Sequence, residues 1–213
     1  MAASAAVLAA GSFSVSPVRV HLRAGQHSAS VEVINTGDSR IQITVERLSW
    51  AAGPQGDLLD PTTDFVASPP LFDLDPRGRQ VVRIPLQRPA DPRRQLTYRL
   101  ALQESPPQSA PQGLSSVLRV TLPIFVTPPR ASATLEWRRL ESPGGPQIEV
   151  VNRGNATAQL AGVRAAGGQD LEGSGGYVLP GQVRRWPAPG LGASIVVRLP
   201  GGGTQTVELP PSR

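Results

Sequence analysis

Three arginines stand out as the side chains best suited to chemistry in this 213-residue sequence. Arg19, Arg99 and Arg119 each interrupt an otherwise apolar, strand-like stretch. A guanidinium is a planar fork of donors that grips a carboxylate through two parallel hydrogen bonds, so arginines set among apolar residues point to anion binding. The alternative for each is an outward-facing, solvated position. The remaining chemical inventory is thin. His21 and His27 have no acidic or histidine partner at metal-ligand spacing, and they read as solvated strand-edge residues. There is no cysteine, which excludes disulfides, thiolate nucleophiles and Cys-ligated zinc. No G-x-S-x-G, H-E-x-x-H or phosphate-binding glycine loop occurs, and Gly201-Gly202-Gly203 reads as a hairpin loop. The acidic residues are scattered, many of them in turns, which argues against an enzyme with paired carboxylates. No metal and no cofactor is expected.

The elements that position the arginines are strands. Pro 23 and Gly 22, with few helix-forming runs, indicate many short strands joined by turns. Aromatic residues make up 4%, so the cores must be aliphatic. The formal charge is +5, a moderate excess that steers the chain toward acidic partners. No basic run interleaved with aromatics marks a nucleic-acid surface.

In chain order, strands are expected over Phe13–Leu22, Ser28–Asn35, Ile41–Trp50, Gln80–Leu86 and Leu96–Gln103. Pro17 suits an edge or a bulge, and Ser68-Pro69-Pro70 belongs at an edge, because proline cannot donate to a ladder. Residues 51–64 read as a polar loop and 65–74 as irregular. Asn35-Thr36-Gly37-Asp38 and Asn152-Arg153-Gly154-Asn155 read as turns.

The longest alternation runs from Leu114 to Val126. Leu114, Ser116, Leu118, Val120, Leu122, Ile124 and Val126 share one face, and Arg119 is on the other. This stretch fits an ordinary core strand. It also fits an open edge offered to another chain, because a long apolar edge is a hazard that proteins normally blunt.

After it, Thr127-Pro128-Pro129-Arg130 forms a stiff linker. Strands in the second half are expected over Thr134–Arg138, Gln147–Val151, Ala156–Val163, Gln182–Trp186, Ser194–Leu199 and Thr204–Leu209. The reading is an all-β chain of two immunoglobulin-like β-sandwich domains in series, residues 11–129 and 130–213. No repeat of 20–50 residues is evident. Residues 2–10, AASAAVLAA, look like the end of a secretory signal without its basic start, a partial or truncated signal peptide within residues 1–10. No segment reaches the ~20 apolar residues that span a bilayer as a helix.

Val18-Arg19-Val20, Ser68-Pro69-Pro70, Leu74-x-Pro76-x-Gly78-x-Gln80-x-x-Arg83 and Leu100 with Pro106-Pro107 resemble the periplasmic pilus-assembly chaperones of the chaperone–usher pathway. In the second half, Val150-Val151-Asn152-x-Gly154-Asn155 and Tyr177-Val178-Leu179-Pro180-Gly181-Gln182 resemble the same family's C-terminal domain. Leu122-Pro123-Ile124-Phe125-Val126 looks most like the archaic, spore-coat-type branch. The order and spacing of these motifs carry the resemblance, which runs from about Phe13 to Leu209.

The resemblance implies a chaperone that binds and folds pilin-like subunits and delivers them to an outer-membrane usher, in the periplasm. Its last N-terminal-domain strand would be lent to an incomplete subunit, in donor-strand complementation. Leu114, Leu118, Val120 and Leu122 would then enter the subunit groove, with Ser116 as a poor filler. Four buried aliphatics contribute on the order of 6–12 kcal/mol gross, before ordering costs. The family anchors the subunit's terminal carboxylate on basic residues. Members outside the archaic branch pair an Arg on the first strand, matched by Arg19, with a Lys late in the donated strand. Pro123 and its neighbours stand where that Lys would be. Archaic-type members carry an Arg on the preceding strand, which Tyr98-Arg99 resembles, and Arg119 matches a basic position on the donated strand. The implied order is Arg99, then Arg19, then Arg119. The apolar row is too hydrophobic to stand open in water, so in a free chaperone the strand would either be disordered until a subunit arrives or, as the favoured expectation at high concentration, pair with a second copy in a weak homodimer. The competing expectation is a secreted two-domain immunoglobulin-like adhesion or structural protein that keeps the strand in its own sheet.

Overall fold

The computed structural model describes residues 13–53, 56–106, 117–165, 168 and 170–210. Every regular element among them is a strand. The chain divides into two compact units. The first holds residues 59–90 and 96–126 together with the segment ending at Trp50, and the second holds 51–58, 91–95 and everything from Thr127 onward.

In chain order the first nine strands are β1 (Phe13–Ser16), β2 (Val20–Arg23), β3 (Ser28–Asn35), β4 (Ile41–Gly53), β5 (Gly56–Pro61), β6 (Leu71–Leu74), β7 (Arg79–Pro85), β8 (Leu96–Glu104) and β9 (Arg119–Thr127). One sheet has the order β1-β3-β7. The other has the order β2-β9-β8-β4-β5, with β6 added on β4. Period-two alternation dictates what each strand buries. Val31 and Val33 of β3, Ile43 of β4, Val82 and Ile84 of β7, Leu100 and Leu102 of β8 and Ile124 of β9 meet in one core. Burying an aliphatic side chain of this size contributes about 1.5–3 kcal/mol.

Three expectations change. The single strand over 13–22 is two strands in different sheets. Pro17 falls at the break, because it cannot donate to a ladder. The expected loop over 51–64 is largely the hairpin of β4 and β5. It was illegible because β5, Gly-Asp-Leu-Leu-Asp-Pro, is exposed at every position and so has no buried face to impose alternation. The irregular stretch 65–74 ends in β6, which pairs with Ile41–Thr44, while Ser68 bridges to Arg83 across the prolines.

Tyr98 of β8 shows how a polar group is held in this core. Its ring meets Phe65 edge-on at 5.4 Å. Its hydroxyl donates to Asp64 Oδ2 at 2.8 Å, and Asp64 also takes Arg88 at 3.1 Å. Burial first, and the Asp64 carboxylate second, push the Tyr98 hydroxyl well above its ordinary pKa near 10. Above that pH the unfolded tyrosine loses its proton while the folded one keeps it, so the folded state binds more protons. The contribution to stability is complete below about pH 10 and declines as pH rises beyond it. The chain has neither lysine nor cysteine, which keeps this range uncluttered. Tyr98→Phe is expected to cost about 1 kcal/mol at neutral pH and to flatten the fall in urea midpoint between about pH 10 and 11.

The second unit contains β10 (Leu135–Leu140), β11 (Gln147–Asn152), β12 (Ala158–Leu160), β13 (Gly162–Ala165), β14 (Gly176–Val178), β15 (Val183–Pro187), β16 (Ser194–Arg198) and β17 (Thr204–Glu208). They form sheets β10-β11-β15 and β13-β16-β17 and the pair β12-β14. Ile148, Val150, Leu160, Val163, Trp186 and Ile195 lie in its core. The strand expected over 156–163 divides at Ala161 into β12 and β13, which pair in different sheets. β14 was not expected, because its Gly-rich surroundings carry no alternation. Both units are immunoglobulin-like β-sandwiches.

Candidate functional site

β9 runs antiparallel to β8, from Leu96 opposite Val126 to Gln103 opposite Arg119. Its other neighbour is β2. β2 has four residues and β9 has nine. The His21 ring of β2 stacks on Phe125 of β9 at 5.1 Å, which sets β2 beside the C-terminal half of β9. The N-terminal part of β9 therefore runs past the end of β2. Among the described residues only β2 and β8 flank this strand.

Burial along β9 is graded. Leu122, Ile124 and Val126 are 2%, 0% and 1% exposed, whereas Leu118 and Val120 are partly buried against the same core. Val117 is exposed on the opposite face. The apolar row expected over Leu114–Leu122 is thus divided. Leu122 stands opposite the fully buried Leu100 and packs into the core of its own domain. Leu118 and Val120 sit where the closing strand has ended. Leu114 and Ser116 lie outside the described residues.

The other face of this sheet carries the basic residues. Arg99 projects there from β8, and its guanidinium carbon lies 3.6 Å from the centre of the Trp50 ring. Trp50 meets Phe125 at 6.0 Å, tilted by 46°. Arg19, His21 and Arg23 alternate with the buried Val20 and Leu22, so Arg19 shares the face of His21; its side chain is half-buried. Burial, then Arg19, then Arg23 lower the His21 pKa, which favours a neutral imidazole.

Arg119 is committed elsewhere. Its guanidinium donates to the Glu46 carboxylate at 2.8 and 3.3 Å and to the Gln103 side-chain Oε1 at 2.6 Å. It stands four register positions along β8 from Arg99, about 13 Å at 3.3 Å per residue. Arg99 and Arg119 share a face without converging. The chain has 21 arginines and no lysine, so no lysine stands late in β9. Trp50, Phe125 and Glu46 were missed as site residues. Reading β4 at period two past Val45 would have put Glu46, Leu48 and Trp50 on the Arg99 face. Among the described residues no group of three or more His, Asp or Glu is placed to hold a metal ion.

A two-sheet sandwich, a partly open last strand and a basic opposite face define a class. Residues 12–132 match the family of pili and flagellar-assembly chaperones, PapD N-terminal domain, and the chain belongs to that family. No curated protein matches the chain in sequence. Among solved structures, the chain is similar to the CsuC–CsuE chaperone–tip adhesion subunit pre-assembly complex of archaic Csu pili from Acinetobacter baumannii. Identity is 17%, the TM-score is 0.77, and 93% of this chain and 98% of that one are covered. It is similar to the Salmonella enterica SafA pilin–SafB chaperone complex at 21% identity and TM-score 0.71, covering 93% and 96%. It is also similar to the E. coli chaperone DraB at 22% identity and TM-score 0.69, covering 94% and 97%.

Proposed function

We propose that this chain binds pilin-like subunits in the periplasm by lending them the N-terminal part of the β9 strand, and delivers them to an outer-membrane usher. The observation that carries the reading is the run of β9 beyond β2, with a partly buried apolar row at an open edge. An incoming extended strand would complete main-chain bonds along that edge, while Leu118, Val120 and, before them, Leu114 and Ser116 fill its groove. Residues 11–129 form the subunit-binding domain and 130–213 the second domain. Co-expression with a pilin-like protein tests this. A chaperone forms a stable 1:1 complex and raises soluble pilin; an immunoglobulin-like adhesin does neither.

The subunit's terminal carboxylate is held by Arg99, with Arg19 as the second anchor on the same face. Arg119 ranks last, because Glu46 and Gln103 already occupy its fork. An arginine on β8, matched by Tyr98-Arg99, resembles the archaic branch, to which we assign the protein. Arg99→Ala is expected to weaken subunit binding by roughly 2–5 kcal/mol, as loss of a desolvated charge partner does, and Arg19→Ala by less. Titration calorimetry with the captured subunit measures both, and equal affinity for wild type and the two variants would overturn the anchor.

Without a subunit, two copies pair weakly through the open β9 edge. Leu118 and Val120 already rest in part on their own core, so only a modest apolar area drives pairing. Amide exchange over Val117–Thr121 that slows with protein concentration would register it. Equal protection at all dilutions would exclude it.

A further inference from the structure

We propose that Trp50 is a positioning residue for the carboxylate anchor: its indole holds the Arg99 guanidinium flat, so that the N–H edge of Arg99 faces the subunit terminus. The inference rests on the anchor reading above and adds the residue that makes it work. A guanidinium carbon 3.6 Å from a ring centre is at the separation of two stacked planar groups; an edge-on approach would hold it farther off. Stacking uses the π face of the guanidinium, and a carboxylate uses its in-plane N–H edge. Trp50 can therefore fix Arg99 without competing for the bonds that grip the ligand. An unstacked arginine would have to give up its rotamer freedom at the moment of binding.

The indole is itself enclosed. It is 2% exposed although it lies on the face opposite the main core. Thr97 of β8 donates its hydroxyl to the Trp50 carbonyl, tying this point of β4 to the strand that carries Arg99. Phe125 of β9 braces the ring from one side and is braced in turn by His21 of β2. Four adjacent strands thus contribute to one packed seat, of which Arg99 is the charged member.

The test uses the full chain and the subunit captured in the co-expression, prepared with a terminal carboxylate and with a terminal amide. The ratio of the two dissociation constants reports the carboxylate contact alone. In wild type the carboxylate form binds more tightly. Trp50→Leu is expected to shrink that ratio about tenfold, and Trp50→Phe to give an intermediate value, because a phenyl ring retains part of the cation–π attraction. In an Arg99→Ala background, Trp50→Leu should cause no further loss of the ratio. A wild-type ratio in Trp50→Leu, or a further loss in the Arg99→Ala background, would overturn the positioning role while leaving the anchor standing. No difference between the two subunit forms in wild type would overturn the anchor, and the positioning role with it. If melting shows that Trp50→Leu is unfolded, Trp50→Phe decides: an unchanged ratio overturns the role.

Discussion

Asn152→Ala should destabilise the second unit by about 3–5 kcal/mol, which for a unit of this size lowers the melting temperature by more than about 10 °C. Asn152 is fully buried at the end of β11. Its Nδ2 donates to the carbonyls of Ala156 and Val178, both at 2.8 Å. Its Oδ1 accepts from the Thr134 amide at 3.2 Å and the Gly154 amide at 3.0 Å. Two donors and two acceptor lone pairs are all that a side-chain amide has, and each is used. Alanine would leave two buried carbonyls and two partly buried amides short of a partner, at about 1–3 kcal/mol for each one that water cannot reach. Gly154 shows how closely the corner is packed. A Cβ there would collide with Ser132 O and Thr134 N, leaving no room for a repositioned loop. Calorimetric melting of the full chain measures the effect. A loss below about 1 kcal/mol would mean that water replaces the amide and that the corner does not depend on it.

The first unit repeats the device. Asn35, equally buried, ends β3 and donates Nδ2 to Leu74 O at 3.0 Å and Ser39 O at 2.8 Å, while Gly37 N donates to its Oδ1 at 2.9 Å. The residues agree as well: Val31-Glu32-Val33-Ile34-Asn35-Thr36-Gly37 parallels Ile148-Glu149-Val150-Val151-Asn152-Arg153-Gly154. Both sites read as turns in the sequence, because Asn and Gly in that order signal a turn. That the asparagine amide is the buried keystone was not legible, since its partners Leu74 and Val178 are remote in sequence.

The same division between local and remote information runs through the site. Alternation along β9 put Leu118, Val120 and Leu122 on one face and Arg119 on the other. It could not say that Glu46, 73 positions away, takes the Arg119 fork, or that Trp50 lies under Arg99. Nor could period two distinguish Leu118 from Leu122, because the difference is where the neighbouring β2 strand stops. A strand's faces are written in its own residues, and its openness is written in its neighbours.

That difference yields the second large effect. Leu118→Arg should abolish subunit capture while the chain stays folded, whereas Leu122→Arg should prevent folding. Leu118 is only partly buried, one residue before β9 begins. An arginine there can lay its aliphatic stem along the core and carry its charge to water, at a cost to folding of under about 1 kcal/mol. In a subunit groove the same charge would be stripped of water without a counter-charge, and the ~1.5–3 kcal/mol from the buried leucine would be lost as well. A combined loss above about 3 kcal/mol reduces affinity more than a hundredfold. At Leu122, 2% exposed and facing Leu100, no path to water exists, and the buried charge falls on the domain itself. Val120→Arg should lie between the two. Soluble subunit recovered per chaperone, read beside a thermal melt of each variant, separates binding from folding. If Leu118→Arg unfolds as Leu122→Arg does, the whole strand belongs to its own core and the donor-strand reading fails. If Leu118→Arg stays folded and captures subunit as wild type does, the subunit is held by some other surface.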